Sequence, residues 1–331
     1  MRVVDAYDGP RGYYAFLPEE VPAGDTLPLV VFLHGYGALN PVTYAGWLRH
    51  LVDGGHAVVY PRYQRNLFVP GSRRFADHAA AAIRGATAVL AEADGLPPVA
   101  TSDAVFIGHS YGGTIAATLL ADSTKRGLPR ASGLLLSAPG TSRLRGSRLD
   151  SYATLPPDLP VVLVTHARDH VTGDEFARLL DETAPPEALR LWIRHQRSGH
   201  AGDTLTSHHN EAYSPHVDPA FDSGLLNYTT RKALRVGTCD ATDSLVYWRL
   251  ADLLLSGPAG RRQLARLAER SEEGYAFGSW PDGHARQPLR MRPLDASPVA
   301  PDEPRSRHPR HSVPSAVTTR ESTPAGRRAP R

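Results

Sequence analysis

The sequence predicts an α/β fold with a mostly parallel central sheet, and three observations support this. Between residues 28 and 256, short continuous apolar runs alternate with stretches of helical periodicity. Each run has three to five residues and ends at a glycine, a proline or a polar residue, as expected of strands covered on both faces. The helical stretches lie between the runs, so helices are expected on both faces of the sheet.

Six apolar runs are the predicted strands. In chain order they are 29–33, 57–60, 104–107, 134–136, 161–164 and 189–193. A weakly alternating earlier segment, 13–17, is predicted to be an antiparallel edge strand. The predicted helices are 41–51, 75–93, 114–121, 174–180 and 242–255. The chain therefore divides into an N-terminal edge segment (1–27), a main domain (28–280) and a tail (281–331).

The tail has a different composition from the rest of the chain. It contains ten Arg, five acidic residues and ten Pro, and almost no aliphatic run. Such a segment buries too little apolar surface to offset its ordering entropy, so disorder is predicted from residue 281. Its arginines raise a nucleic-acid alternative. Because they are scattered without interleaved aromatic residues, no nucleic-acid partner is expected.

Composition also excludes several protein classes. The 331-residue chain has one cysteine, Cys239, so it forms no internal disulfide and no cysteine-rich zinc site. It lacks the roughly 18 consecutive apolar residues of a membrane-spanning helix. The early acid Asp5 and the pair Gly9-Pro10 do not fit a signal peptide. We therefore expect a cytoplasmic protein.

The most informative motif is Gly-His-Ser-Tyr-Gly at residues 108–112. It follows the predicted strand 104–107 and precedes the small-residue helix 114–121. A tight strand-to-helix turn lifts a serine hydroxyl out of the sheet, and glycines at both ends leave room for the crossing backbone. The helix start also places N–H groups near developing negative charge. Ser110 is therefore the predicted nucleophile, and an ordinary glycine turn is the alternative.

Because this motif has a strand before it and a helix after it, the chain resembles the α/β-hydrolase superfamily, in its serine-esterase branch. Within that branch it is similar to the dienelactone-hydrolase, chlorophyllase and cutinase-like polyester-hydrolase groups. The resemblance covers about residues 25–256 and implies an α/β-hydrolase catalytic domain. Serine at the turn disfavours the relatives that use aspartate there, the epoxide hydrolases and haloalkane dehalogenases. The short polar connection 138–160 leaves no room for a large cap domain.

The resemblance also implies an oxyanion hole. The sequence His-Gly-Tyr-Gly at 34–37 follows the first strong apolar strand. In the family this loop supplies one backbone N–H, and the residue after the nucleophile supplies the other. Transferred to this chain, the donors are the main-chain amides of Tyr36 and Tyr111. A simple strand-ending turn is the alternative for the 34–37 loop.

Chain order predicts the acid. In this fold the order is serine, then an acid, then histidine. Asp169 lies a few residues beyond the strand 161–164 and matches the family position. Asp174 and Glu175 are the rivals, but their places at a helix start suit the helix dipole alone.

Two histidines remain candidates for the base. His200 lies on the loop after the last predicted parallel strand and is slightly favoured by spacing, whereas His209 fits if this loop carries an insertion. Family members often have Phe and Pro after such a histidine, and Asn210 and Ala212 depart from that pattern. The side chain of His195 would project from the strand itself rather than from a loop, so His195 is disfavoured as the base.

The histidine-rich stretch 195–216 also raises the possibility of a metal site. Its spacings do not match a His-Glu-x-x-His motif, and adjacent histidines do not readily converge on one ion. No metal and no cofactor are therefore expected. Taken with these motifs, the resemblance implies a serine hydrolase that cleaves small-molecule carboxylic esters through an acyl-enzyme. The alternative is a non-catalytic α/β-hydrolase-like binding protein with a decayed triad.

Overall fold

The central sheet follows from the apolar runs of the sequence. The structure is a computed structural model that describes residues 1–68, 70–142, 144–185 and 189–293. Its strands are β1 (Arg2–Ala6), β2 (Tyr13–Leu17), β3 (Leu27–Leu33), β4 (Ala57–Pro61), β5 (Val99–His109), β6 (Arg130–Ser137), β7 (Val161–His166), β8 (Arg190–His195), β9 (Ser198–His200), β10 (Asp203–Leu205) and β11 (Arg290–Pro293).

The described residues build one nine-stranded sheet in the order β1-β2-β4-β3-β5-β6-β7-β8-β11. The six strands from β4 to β8 in this order are parallel, whereas β1, β2 and β11 pair antiparallel. Strands β9 and β10 form a separate antiparallel hairpin. The prediction of a mostly parallel α/β sheet is confirmed. Five of the six predicted runs lie within one of its parallel strands, and the sixth, 189–193, begins one residue before β8.

Helices cover both faces of this sheet. They are α1 (Ala45–Asp53), α2 (Phe75–Glu92), α3 (Tyr111–Leu120), α4 (Ser123–Arg126), α5 (Glu175–Thr183), α6 (Tyr228–Val236), α7 (Arg249–Leu255) and α8 (Gly257–Glu269). A π-helical turn at Asp243–Trp248 leads directly into α7. Helices α4, α6 and α8 were not among the predicted elements.

Alternation along β3 divides the core into two layers. Leu29, Val31 and Leu33 belong to the core layer that contains residues of α2, α3 and α5, whereas Val30 and Phe32 belong to the layer that contains residues of α1 and α7. Successive side chains of a strand point to opposite faces, so a strand covered on both sides must be apolar at every position. All ten residues of α3 are buried, including its first turn beside Ser110.

Two predictions about the sheet edges are corrected. The segment 13–17 is antiparallel as predicted, but it is not an edge strand, because β1 lies outside it and all five of its residues are buried. The boundary predicted at residue 281 is also corrected, because residues 281–293 belong to the described structure. Strand β11 pairs with β8, and Leu289 is 2% exposed. An added edge strand is held by backbone hydrogen bonds, which composition does not reveal. Residues 294–331 lie outside the described part of the chain.

The connection between β6 and β7 contains no helix in its described residues, 138–142 and 144–160. Within the described part of the chain, no helix combines the length and the apolar character needed to cross a membrane.

Candidate functional site

Ser110 lies at the turn between β5 and α3 in a strained backbone conformation. Its φ is 55° and its ψ is −123°, a region that non-glycine residues rarely adopt. The main chain around it holds this conformation. The Ser110 amide donates to the Ser137 carbonyl at 2.9 Å, and the Ser110 carbonyl accepts from the amides of Gly113 at 3.0 Å and Gly140 at 3.1 Å. The sharp turn predicted from the motif is present.

The glycines of the motif are required by close backbone contacts. A Cβ on Gly108 would lie 2.6 Å from the Gly112 carbonyl oxygen. A Cβ on Gly112 would collide with the carbonyl oxygens of Leu33 and His34 at the end of β3. The start of α3 therefore lies directly against the 34–37 loop, which a larger residue at position 112 would push away.

His209 is the histidine that reaches Ser110. Its Nε2 lies 2.8 Å from Ser110 Oγ, and its Nδ1 lies 2.8 Å from Asp169 Oδ2. All three residues are buried, with 7% to 8% of their surface exposed. The structure thus joins Ser110, His209 and Asp169 into one hydrogen-bonded series.

His200, which spacing slightly favoured, lies elsewhere. It ends β9, its Nε2 lies 2.7 Å from Asp282 Oδ2, and its ring stacks on His284 at a centroid distance of 4.4 Å. His200 itself lies in the hairpin formed by β9 and β10, which precedes His209 in the chain. The hairpin lies between β8 and the loop of His209, so the nearer histidine in sequence is carried away from Ser110.

Each carboxylate oxygen of Asp169 accepts two hydrogen bonds. Its Oδ1 accepts from the main-chain amides of Val171 at 2.8 Å and Thr172 at 3.0 Å. Its Oδ2 accepts from His209 Nδ1 and from the Thr172 hydroxyl at 2.7 Å. Burial raises the pKa of this carboxyl group, but the hydrogen bond and charge of His209 and the Thr172 donors outweigh burial and hold the pKa well below its usual range. Asp169 is therefore an ionised acceptor.

An ionised Asp169 sets the proton position on His209. A carboxylate only accepts hydrogen bonds, so the proton of the neutral His209 ring lies on Nδ1. The Nε2 atom is then an unprotonated acceptor directed at the Ser110 hydroxyl. This is the arrangement a general base requires.

Thr172 is a site residue that the sequence reasoning missed. Both its amide and its hydroxyl bind Asp169, and its side chain packs against Gly140, beside the Ser110 turn. The local pattern Asp-His-Val-Thr at 169–172, in which a threonine follows an aspartate by three residues, is the sequence signal that could have identified Thr172. Aspartate in such a turn commonly accepts from the backbone two and three residues ahead.

The rival acids are occupied away from the site. Asp174 lies 3.6 Å from the Arg194 guanidinium. Glu175 begins α5 and pairs with Arg148 at 2.8 Å and with Arg145 at 3.9 Å. The hydrogen bond from Arg148 lowers the pKa of Glu175. Neither carboxyl group is bonded to His209.

Side chains from two distant segments of the chain form hydrogen bonds with the 34–37 loop. Gln64 accepts from the Gly37 amide at 2.8 Å, and Asn227 donates to the Gly37 carbonyl at 2.7 Å. The Tyr36 hydroxyl donates to the Leu67 carbonyl at 2.8 Å. A Cβ on neighbouring Gly35 would lie 3.2 Å from Ser110 Cβ, so the loop lies against the serine.

Tyr111 begins α3, and its ring is buried with the hydroxyl donating to the Gly146 carbonyl at 2.6 Å. Its amide lies at the start of the helix, where N–H groups have no hydrogen-bond acceptor within the helix itself. The amides of Tyr36 and Tyr111 thus belong to two segments that both contact Ser110.

The histidine-rich stretch does not converge on a metal position. Within the described residues, no group of three or more His, Cys, Asp or Glu side chains is placed to hold a metal ion. His195 is buried in β8, His208 pairs with Glu211 at 2.7 Å, and Asp203 is exposed on β10.

Comparison with known proteins found no family model that matches this chain and no curated protein with significant similarity to it. The geometry around Ser110 therefore has to support any functional assignment.

Proposed function

We propose that this protein is a serine hydrolase of the α/β-hydrolase fold that cleaves carboxylic esters through an acyl-enzyme. The main support is one hydrogen-bonded series: Ser110 Oγ to His209 Nε2 at 2.8 Å, and His209 Nδ1 to Asp169 Oδ2 at 2.8 Å. A hydroxyl with a neutral imidazole acceptor on one side, and a carboxylate orienting that imidazole, is the arrangement that activates serine as a nucleophile.

The placement of the three residues also supports the fold assignment. Ser110 follows β5 at a strained turn, Asp169 follows β7, and His209 follows β8 and the β9–β10 hairpin. Serine, acid and histidine in this chain order, with the nucleophile at a strand-to-helix turn, are typical of the α/β-hydrolase fold.

In the proposed reaction, Ser110 Oγ forms a bond to the ester carbonyl carbon while its proton passes to His209 Nε2. The carbonyl oxygen becomes an oxyanion that accepts from the amides of Tyr36 and Tyr111. Such donors typically lower the barrier by about 3 kcal/mol each. Asp169 stabilises the imidazolium without taking its proton. Collapse of the intermediate breaks the ester C–O bond, and the leaving alkoxide takes the proton from His209.

The acyl-enzyme is then hydrolysed by the same groups. Water gives a proton to His209 Nε2 and attacks the acyl carbon. The second oxyanion collapses, the bond to Ser110 breaks, and the proton returns from His209 to the serine oxygen. The choice of esters over amides comes from the resemblance to serine esterases.

A fluorophosphonate probe tests this function. We expect the probe to label the folded protein at Ser110, with labelling lost in Ser110→Ala, and p-nitrophenyl esters to be hydrolysed by the wild type alone. A panel of these esters with rising acyl length would define the acyl preference. A folded wild-type protein that neither reacts with the probe nor hydrolyses any ester would support the non-catalytic binding protein instead.

A further inference from the structure

His109, the residue before the nucleophile, is completely buried and has a partner on each ring nitrogen. Its Nε2 lies 2.8 Å from the His209 carbonyl oxygen, and its Nδ1 lies 2.9 Å from the Tyr44 hydroxyl. A carbonyl only accepts, so the proton of His109 is on Nε2. Burial, together with the neighbouring charge of His209, lowers the pKa of His109 to about 3, so the ring is neutral and Nδ1 is an acceptor.

Tyr44 continues this series to the 34–37 loop. Its hydroxyl donates to His109 Nδ1 and accepts from the Gly35 amide at 2.8 Å. Tyr44 is fully buried at the end of the 3₁₀ turn Pro41–Tyr44. The three hydrogen bonds therefore all point the same way along the series. The Gly35 amide donates to the Tyr44 oxygen, the Tyr44 hydroxyl donates to His109 Nδ1, and His109 Nε2–H donates to the His209 carbonyl.

Gly35 lies where this series meets the nucleophile. A Cβ at Gly35 would be 3.0 Å from His109 Nδ1, 3.1 Å from the Tyr44 hydroxyl and 3.2 Å from Ser110 Cβ. The ring of His109 also packs against the ring of His209 at 5.1 Å between centroids. The series thus connects two loops that are 174 positions apart in sequence, since it joins residue 35 to residue 209, and its Gly35 end lies beside Ser110.

We propose that Tyr44 and His109 are positioning residues that hold the main chain of His209 and the loop carrying the Tyr36 amide at a fixed separation around Ser110. This rests on the proposed function, in which His209 is the base and Tyr36 an oxyanion donor. A buried hydrogen-bonded series with no free donor or acceptor restricts both loops at once. Because the series carries no charge, it adds no repulsion when His209 becomes an imidazolium.

Site-directed variants test the positioning role. Tyr44→Phe and His109→Leu each break the series, whereas His109→Gln retains a donor and an acceptor on one side chain. Tyr152→Phe is the matched control, because this buried tyrosine pairs through its hydroxyl with Thr118 at 3.2 Å, outside the series. Turnover of p-nitrophenyl acetate, fluorophosphonate labelling and the melting temperature are measured for each variant.

We expect Tyr44→Phe and His109→Leu to lower kcat about 10- to 100-fold with KM nearly unchanged, since unsatisfied buried groups let the loops shift. The double variant should be no slower than the slower single variant, because both substitutions break one series. His109→Gln should recover most of kcat, and Tyr152→Phe should lose stability only. Wild-type kcat in both single variants, or additive losses in the double variant, would overturn the proposal.

Nitrogen NMR of the ¹⁵N-histidine-labelled wild type gives a readout that needs no activity. We expect His109 to remain neutral with its proton on Nε2 from pH 5 to pH 9, and its Nδ1 signal to shift in Tyr44→Phe. A proton on Nδ1, or a charged ring in this range, would overturn the series itself. A wild type that is unreactive to the probe would overturn the proposed function and with it the catalytic role. A reactive wild type with unaffected variants would overturn the positioning role alone.

Discussion

The Thr172 hydroxyl lies 2.7 Å from Asp169 Oδ2, the same oxygen that accepts from His209. Thr172 therefore orients the carboxylate that orients the proposed base. Its amide also binds Oδ1 of Asp169, so hydroxyl and amide together prevent rotation of the carboxyl group.

Replacement of the Thr172 hydroxyl should slow the reaction without unfolding the protein. We expect Thr172→Val to lower kcat/KM for p-nitrophenyl acetate about 10- to 100-fold, because a hydrogen bond to a charged group is worth about 1.5–3 kcal/mol. Thr172→Ser keeps the hydroxyl and is the matched control, with activity within a few-fold of the wild type. Equal activity in Thr172→Val and the wild type would contradict this role.

The two candidate histidines should differ sharply in single-turnover ester cleavage. His209→Ala removes the proposed base and should lower the acylation rate by several orders of magnitude. His200→Ala removes the contact with the half-exposed carboxylate of Asp282 and the stack on His284, both away from Ser110, and should leave that rate nearly unchanged. The reverse result would show that His200 enters the site in solution.

The glycine at position 112 should not tolerate a methyl group. In Gly112→Ala the Cβ meets the carbonyl oxygens at the end of β3, and backbone atoms cannot move aside as a side chain can. We expect the free energy of unfolding to fall by at least about 2 kcal/mol in chemical denaturation.

Gly85, in the exposed part of α2, is the control for this experiment, because its nearest contact to an added Cβ is 3.6 Å. Gly85→Ala should raise the free energy of unfolding by up to about 1 kcal/mol through helix propensity. A neutral Gly112→Ala would argue against the tight packing of α3 on β3.

The buried carboxyl group of Asp243 should make stability fall as pH rises. Burial, with the nearby charges of Asp240 and Glu211, raises the pKa of Asp243 to about 8 in the folded protein, from 3.8. Between these values the folded state holds a proton that the unfolded state has lost. The free energy of unfolding should therefore decline with rising pH, by up to about 1.4 kcal/mol per pH unit for one proton.

Asp243→Asn tests this effect. The asparagine does not titrate, so its variant should show a shallower decline in the free energy of unfolding between pH 5 and pH 8 than the wild type. Parallel curves for the two proteins would place the titration on another group.

Strand β11 should be part of the folded domain. A chain that ends at residue 293 keeps the antiparallel partner of β8, whereas one that ends at residue 280 loses it. We expect the shorter chain to melt more than about 3 °C lower, since about 1 kcal/mol corresponds to 2–4 °C in a domain of this size. Equal melting temperatures of the two truncated chains would show that β11 adds no stability.

The predictions from sequence hold where the determining interactions are local or uniform. The core of β3 is a continuous apolar run because both faces are covered, and the Gly-His-Ser-Tyr-Gly turn carries its own glycines. Asp169, the acid that chain order predicts, lies within hydrogen-bonding distance of a histidine. Periodicity, turn chemistry and chain order can all be read without coordinates.

Other features depend on packing between distant segments. His200 and His209 both follow β8 in polar sequence, and their separation in space depends on the β9–β10 hairpin, which has no strong periodic signal. The partners of His109 come from residues 44 and 209, and β11 joins the sheet from a proline- and arginine-rich segment. Hydrogen bonds between such segments form only where packing of the core brings their backbones close together. The distance between two segments in the folded protein cannot be read from the residue composition of either one.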